Sequence, residues 1–204
     1  MAFQNIQLRS TCIPEENKLD CRRPAFIRES CKRFPVLAAK VVRLRLMHIK
    51  TLLDDPELKQ MKVIYLVRDP RGTLTSLAKN FGCSSDGCAE PREHCEKISS
   101  DLDAFEMFNK LNPGRLYLVK YESLVQDSQR TFRELFHFAG LSYLPYISKT
   151  IKEHTSTLDT NPYSTFRNST DSVDKWKRQL TPKFIERAQR ACSKVIEKLD
   201  YPII

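Results

Sequence analysis

Short apolar runs alternate along the chain with longer segments whose apolar residues recur at helical spacing. The runs Val36–Leu44, Val63–Val67 and Leu116–Val119 are rich in β-branched or aromatic residues, which predicts three strands. Strands separated by helices form βαβ units, so the pattern predicts an α/β fold with a parallel sheet flanked by helices. The helices are predicted at Ala25–Lys32, Arg45–Leu53, Pro70–Asn80, Glu93–Leu111, Asp127–Ala139, Leu144–Glu153 and Pro182–Leu199.

The chain of 204 residues is long enough for one domain with its own core, and we predict a single domain over residues 1–204. Residues 1–35 form a poorly defined N-terminal segment with mixed composition. Lys40 is one of the two polar members of the run Val36–Leu44. The residues alone leave open whether it serves a site or extends its charge to solvent from the sheet edge.

The stretch from Lys62 to Asn80 carries the clearest functional signal. A buried strand ends in Arg68, Asp69 is placed to be an N-cap, and Pro70 suits the first turn of a helix. Free backbone N–H groups and the helix dipole would then point the same way as the guanidinium, which favours an anion site. A buried Arg–Asp pair that merely caps a helix explains the same residues equally well.

This stretch resembles a family signature. Residues 68–76, Arg-Asp-Pro-Arg-Gly-Thr-Leu-Thr-Ser, are similar to the R-D-P-R-x-x-x-x-S motif of carbohydrate sulfotransferases, above all the Golgi N-acetylglucosamine, galactose and chondroitin 6-O-sulfotransferases. Two further segments resemble this family: residues 119–124 (V-K-Y-E-S-L) and the stretch 163–177 that begins Y-S-T-F-R-N-S and ends K-W-K. The likeness extends over residues 35–201.

The resemblance implies a P-loop-NTPase-like sheet that is incomplete at its N-terminus, and a donor, 3′-phosphoadenosine 5′-phosphosulfate. Arg68 and Ser76 would contact the 3′-phosphate of this donor. The expected donor site comprises Arg68, Asp69, Pro70, Arg71, Gly72, Thr73, Leu74, Thr75, Ser76 and, from the later segment, Arg167.

The implied reaction moves a sulfuryl group to a sugar hydroxyl, with 6-O the expected position. The family's R-S-G-S-S-type loop, which stabilises the leaving group, is not among these residues, and the five glycines supply no such loop. We therefore expect a C-terminal portion of a longer enzyme that transfers sulfate poorly by itself. No catalytic residue is assigned. Glu122 could act in the site or pair with Lys120, and Trp176 could stack on adenine or anchor the core.

The cysteine count and the charge add context. Seven cysteines favour disulfides in an oxidising lumen, which agrees with the Golgi lumen or membrane implied by the resemblance, and with the weak glycosylation signal Asn168-Ser-Thr. Zinc at Cys83, Cys88, His94 and Cys95 is the less favoured alternative because the usual C-x2-C spacing is absent, so no metal is expected. Nothing here resembles a signal peptide or a membrane span, so membrane attachment would need an anchor N-terminal to these residues.

A net charge of +9 favours acidic partners without choosing among them. The expected partners are a nucleotide donor and a glycan acceptor, and no nucleic acid. The alternative is a non-catalytic protein that binds polyanions such as sulfated glycans or nucleic acid. A P-loop kinase is not supported because G-x-x-x-x-G-K-[ST] does not occur.

Overall fold

The computed structural model describes residues 24–42, 44–80, 90–156 and 173–204. Its contacts divide the chain into two units, Met1–Leu44 and Arg45–Ile204. In the first unit the helix α1 spans Pro24–Cys31, which confirms the short helix predicted there. The prediction of a single domain over residues 1–204 stays a prediction.

The strand predicted at Val36–Leu44 is wrong. Residues 36–42 contain no regular secondary structure, and their apolar side chains are exposed, with Val42 81% accessible. Lys40 therefore does not lie on a strand. An apolar run shows only that a segment can pair, whereas a strand also needs a neighbour for its backbone hydrogen bonds.

The second unit contains a parallel pair of strands, β1 (Val63–Val67) and β2 (Leu116–Lys120). Val63 lies beside Leu116, and Val67 beside Lys120, so the two carboxyl ends meet at one edge. Parallel pairing across a helical connection confirms the predicted α/β class.

The helices agree with the apolar pattern in most places. Asp127 and Thr181 accept the predicted cap hydrogen bonds, from the backbone N–H groups of Arg130 and Phe184. Gly140, with φ of 70°, follows the helix that Asp127 begins. Within the described part of this unit the helices, with three short 3-10 segments among them, are Leu46–Ile49 (3-10), α2 Lys50–Leu53, Pro56–Leu58 (3-10), α3 Pro70–Asn80, α4 Pro91–Leu111, α5 Tyr121–Gln126, α6 Ser128–Phe138, α7 Pro145–Ser156, Lys175–Arg178 (3-10), α8 Pro182–Ala191 and α9 Ser193–Lys198.

Two helices differ from the prediction. The short helix α5 directly follows β2 and has no apolar period of its own, so the pattern missed it. The long C-terminal helix is broken at Cys192, whose φ and ψ of −102° and 10° lie outside the helical range. The break separates α8 from α9.

Helix α4 covers one face of the sheet and forms the centre of the core. Phe108 and Ala104 of α4 pack with Leu116 of β2, and Leu102 packs with Val67 of β1. The cluster that contains Leu102 and Val67 also includes four residues near the end of the chain: Val195, Ile196, Leu199 and Tyr201. The C-terminus is thereby packed beside the end of β1, where the predicted site begins.

The opposite face is covered unevenly. Phe138 of α6 lies against Tyr117 of β2, with ring centroids 5.1 Å apart. On β1, Ile64 and Leu66 are 46% and 55% accessible in this unit. The described residues thus cover that face over β2 but leave it open over β1.

A disulfide joins Cys95 of α4 to Cys192 at the break between α8 and α9. Both cysteines are almost fully buried in the core cluster around Val67. This supports the expectation of disulfides, whereas Cys83 and Cys88 lie outside the described residues. Among the described residues, no three His, Cys, Asp or Glu side chains are grouped as a metal site would require.

None of the helices in the described ranges combines the length and the apolar character needed to cross a membrane.

We predict that Cys95→Ala/Cys192→Ala lowers the free energy of unfolding by about 2–4 kcal/mol, because the crosslink closes a long loop in the unfolded chain. Denaturant unfolding under non-reducing conditions measures the loss. Cys31→Ala is the matched control, since Cys31 is a free cysteine in α1. Equal stability of the double variant and the wild type would contradict the prediction.

Candidate functional site

The predicted motif lies where β1 ends and α3 begins, at the carboxyl edge of the sheet. The carboxylate of Asp69 accepts the backbone N–H of Arg71 at 2.9 Å, and its carbonyl accepts the N–H of Thr73 at 3.0 Å. Both bonds are those of a helix N-cap, which confirms the cap predicted at Asp69. The edge where parallel strands end is also where open α/β sheets bind ligands.

Arg71 is the most buried charged side chain of the site, with 0% of its surface accessible. Its Nε and Nη2 donate to the two carboxylate oxygens of Asp69, at 2.9 and 2.7 Å. The remaining contacts are to the side-chain oxygen of Gln189 and the carbonyl of Pro202, at 2.7 and 2.8 Å. Every nitrogen of this guanidinium donates to the protein itself, so Arg71 holds the turn in place and presents no surface to a ligand.

Trp176 lies against the same arginine. The Arg71 guanidinium is 4.6 Å from the centre of its ring, and only 3% of Trp176 is accessible. Of the two interpretations left open by the sequence, the core anchor is therefore the one that the burial supports.

The side chain of Arg68 makes different contacts from that of Arg71. Its guanidinium lies 4.7 Å from the ring centre of Tyr121 and passes close to Gly72. A Cβ atom added at Gly72 would lie 3.1 Å from Arg68 Nε and 3.1 Å from Trp176 Cδ1. Glycine at this position therefore lets the guanidinium rest on the first turn of α3.

The motif divides by burial into an inner and an outer set. Asp69, Pro70, Gly72, Leu74 and Thr75 are buried together with Arg71, whereas Arg68, Thr73 and Ser76 are partly accessible. The hydroxyl of Thr75 donates a hydrogen bond to the carbonyl of Arg71, at 2.8 Å. Thr73 and Ser76 are three residues apart and so lie on one face of α3.

The electrostatics of the outer set favour an anion. Arg68 places a positive charge beside a helix N-terminus, where the helix dipole is also positive. The guanidinium and the N-terminal turn of the helix would therefore attract the same anion, such as a phosphate or sulfate group.

Glu122 follows β2 and fixes the turn from the other side. One carboxylate oxygen accepts the backbone N–H of Asp69 at 3.0 Å, and the other accepts the hydroxyl of Tyr201 at 2.9 Å. Lys120 donates instead to the carbonyl of Leu199. The predicted alternatives for Glu122 were a site role or an ion pair with Lys120, and the two hydrogen bonds of its carboxylate are with Asp69 and Tyr201, not with that lysine.

Sequence reasoning missed three residues of this arrangement: Gln189, Tyr201 and Pro202. Each touches Arg71 or Glu122 from a position about 80 to 130 residues further along the chain. No local pattern marks them, because their roles depend on tertiary contacts. Arg167, which was predicted to join the donor site, lies outside the described residues, as does Asn168.

Comparison with known families gives a match over nearly the whole chain. Residues 5–200 match the family model described as Sulfotransferase domain. The chain is 30% identical over 192 residues to carbohydrate sulfotransferase 1 of Mus musculus, covering 85% of this chain and 46% of that protein. It is 30% identical over 194 residues to carbohydrate sulfotransferase 3 of the same species, covering 86% and 41%. The chain thus spans somewhat less than half the length of these curated relatives.

Among solved structures, the chain is similar to mouse sulfotransferase SULT7A1 complexed with PAP. The TM-score is 0.55 at 18% identity, covering 85% of this chain and 70% of that one. At this identity the likeness concerns the fold, and it agrees with the predicted P-loop-like class.

We predict that Arg71→Met destabilises the protein by about 3–5 kcal/mol, because it leaves the carboxylate of Asp69 buried without its cation. The double variant Asp69→Asn/Arg71→Met should regain part of this loss, since it removes the uncompensated charge. Unfolding in denaturant measures both changes.

Arg130→Met is the matched control, because Arg130 pairs with Glu134 on the exposed surface of α6. We expect it to leave the free energy of unfolding almost unchanged, because solvent screens an exposed ion pair. An Arg71→Met variant as stable as this control would show that the buried pair does not hold the turn.

Proposed function

The chain belongs to the sulfotransferase domain family, as its motifs predicted, and we propose that it binds 3′-phosphoadenosine 5′-phosphosulfate at the start of α3 for transfer of the sulfuryl group to a carbohydrate. The observation that carries this proposal is the division of the motif. Arg71 is buried in structural contacts, whereas Arg68, Thr73 and Ser76 are partly accessible and the Arg68 guanidinium passes close to Gly72 in the first turn of α3.

In the proposed site, Arg68 and Ser76 bind the 3′-phosphate of the donor. The guanidinium supplies a charge-assisted contact and the serine hydroxyl a neutral donor. The N-terminal turn of α3 adds its dipole to the same anion. Thr73, one turn from Ser76 on α3, donates its hydroxyl to the carbonyl of Asp69 at 3.2 Å and so supports the turn. Asp69, Pro70, Arg71, Gly72, Leu74 and Thr75 position these groups from within the fold.

The donor supplies the sulfuryl group that is transferred when an acceptor hydroxyl attacks in line. This chain's residues contribute by positioning, because in such a transfer the protein must hold both partners along one axis. The contact of Arg68 and Ser76 with the 3′-phosphate fixes the nucleotide at the end remote from the bond that breaks. The hydrogen bonds of Glu122 and Arg71 to Asp69 hold the turn before α3 and so keep that contact in place.

We propose a sugar hydroxyl as the acceptor, with the 6-O position favoured by the resemblance of residues 68–76 and 163–177 to 6-O-sulfotransferases. The similarity to carbohydrate sulfotransferases 1 and 3 supports a carbohydrate acceptor in general. A Golgi location and glycosylation are proposed on the same resemblance. The buried disulfide is consistent with an oxidising compartment.

We predict that 3′-phosphoadenosine 5′-phosphate (PAP), the desulfonated form of the donor, raises the melting temperature of the chain. Arg68→Ala should weaken PAP binding by about 10- to 100-fold, the effect of losing one hydrogen-bonded charge. Titration calorimetry and thermal unfolding with PAP measure the change. Gly72→Ala should also weaken PAP binding, because the added methyl group would lie 3.1 Å from Arg68 Nε and displace the guanidinium.

Arg133→Ala is the matched control. Arg133 also lies 4.7 Å from an aromatic ring centre, that of Tyr143, but on α6. We expect its PAP affinity to equal that of the wild type. If PAP binds neither the wild type nor a longer chain that includes the family's R-S-G-S-S-type loop, the donor site is wrong. Strongly salt-dependent heparin binding that Arg68→Ala leaves unchanged would then favour the polyanion-binding alternative.

A further inference from the structure

The last six residues, Leu199–Ile204, return to the start of α3, where they contact Arg71 of the motif. We call this segment the C-terminal strap. Asp200 takes a left-handed conformation, with φ of 52°, at the turn that leaves α9. The carbonyl of Pro202 then accepts Arg71 Nη2 at 2.8 Å. The strap therefore provides one of the partners of the buried guanidinium.

The end of the strap is fixed to α8 by a reciprocal pair of hydrogen bonds. The backbone N–H of Ile204 donates to the side-chain oxygen of Gln189 at 2.9 Å, and the Gln189 amide donates to the carbonyl of Ile204 at 2.8 Å. The same oxygen of Gln189 accepts Arg71 Nη1 at 2.7 Å. The strap, α8 and the motif thus share one connected polar network.

Tyr201 links the strap to the residue that follows Arg68. Its hydroxyl bonds to one oxygen of Glu122 at 2.9 Å, and the other oxygen of Glu122 accepts the backbone N–H of Asp69 at 3.0 Å. Two hydrogen bonds therefore connect the phenol to the peptide unit between Arg68 and Asp69. This peptide unit sets the direction in which the Arg68 side chain leaves the backbone.

The environment keeps the phenol in the form that this link requires. Tyr201 is only 8% accessible, and its burial, together with the neighbouring carboxylate of Glu122, raises its pKa well above the ordinary value. The hydroxyl therefore stays protonated and donates a hydrogen bond to the carboxylate of Glu122. A carboxylate that accepts two hydrogen bonds is held in one orientation, because both donors are fixed in the fold.

We propose that Tyr201 is a positioning residue for the donor site, acting through Glu122 to hold the Asp69 peptide and, with it, the guanidinium of Arg68. This inference rests on the proposed function, since positioning has meaning only if Arg68 binds an anion. It adds a role for the C-terminus, which the motif signature of the family does not include.

The test is Tyr201→Phe, which removes the hydroxyl but keeps the ring in the core cluster around Val67. We expect the dissociation constant for PAP to rise about three- to tenfold, the effect of one lost hydrogen bond at the site. Glu122→Gln should weaken binding as well. The double variant should lose less than the product of the two single effects, because both residues act through one chain of bonds.

Tyr146→Phe is the control, because Tyr146 is 65% accessible on α7. Loss of its hydroxyl should leave PAP binding unchanged. Thermal unfolding without ligand is measured for every variant. A Tyr201→Phe variant that melts earlier but binds PAP like the wild type would show a purely structural role and overturn the inference. In that case Arg68→Ala still loses binding and the proposed function stands. If PAP binds neither the wild type nor the longer chain that includes the R-S-G-S-S-type loop, both proposals fail together.

Discussion

The fold around the site depends on one buried ion pair, between the carboxylate of Asp69 and the guanidinium of Arg71. Removing either partner would leave a charge without water or a counterion, at a cost of about 3–5 kcal/mol. The pair closes the turn between β1 and α3, since Asp69 also caps the helix. Its further partners, Gln189 and Pro202, tie the C-terminal segments to this same turn.

This constraint explains why two arginines of one short motif have opposite roles. Arg71 points inward, is surrounded by Trp176, Gln189 and Pro202, and fixes the backbone. Arg68 lies across the same helical turn and stays partly accessible, and it can do so because position 72 is a glycine. The charge that would bind a phosphate is therefore carried by a side chain whose base is held rigidly from several directions.

The sequence alone predicted those parts of the structure that depend on neighbouring residues. The run of β-branched residues before Arg68 and the cap at Asp69 could both be predicted, because a strand and an N-cap are decided by adjacent residues. The strand at residues 36–44 was predicted wrongly, since pairing depends on a neighbour that the run itself does not specify. A buried Arg–Asp pair was one of the alternatives that the sequence left open, but the other partners of Arg71, Gln189 and Pro202, could not be predicted because they lie more than 110 residues away. The family motif singled out Arg68 and Ser76 as the predicted phosphate contacts, but it also placed Arg71 in the donor site, and only the structure shows that Arg71 is fully buried.

A structure of the chain with PAP bound would show which arginine meets the phosphate. We expect the 3′-phosphate to lie within hydrogen-bonding distance of the Arg68 guanidinium and the Ser76 hydroxyl, while Arg71 stays on Asp69 and the carbonyl of Pro202. A complex in which Arg71 leaves these partners to bind the phosphate, or in which PAP occupies a place remote from α3, would contradict it.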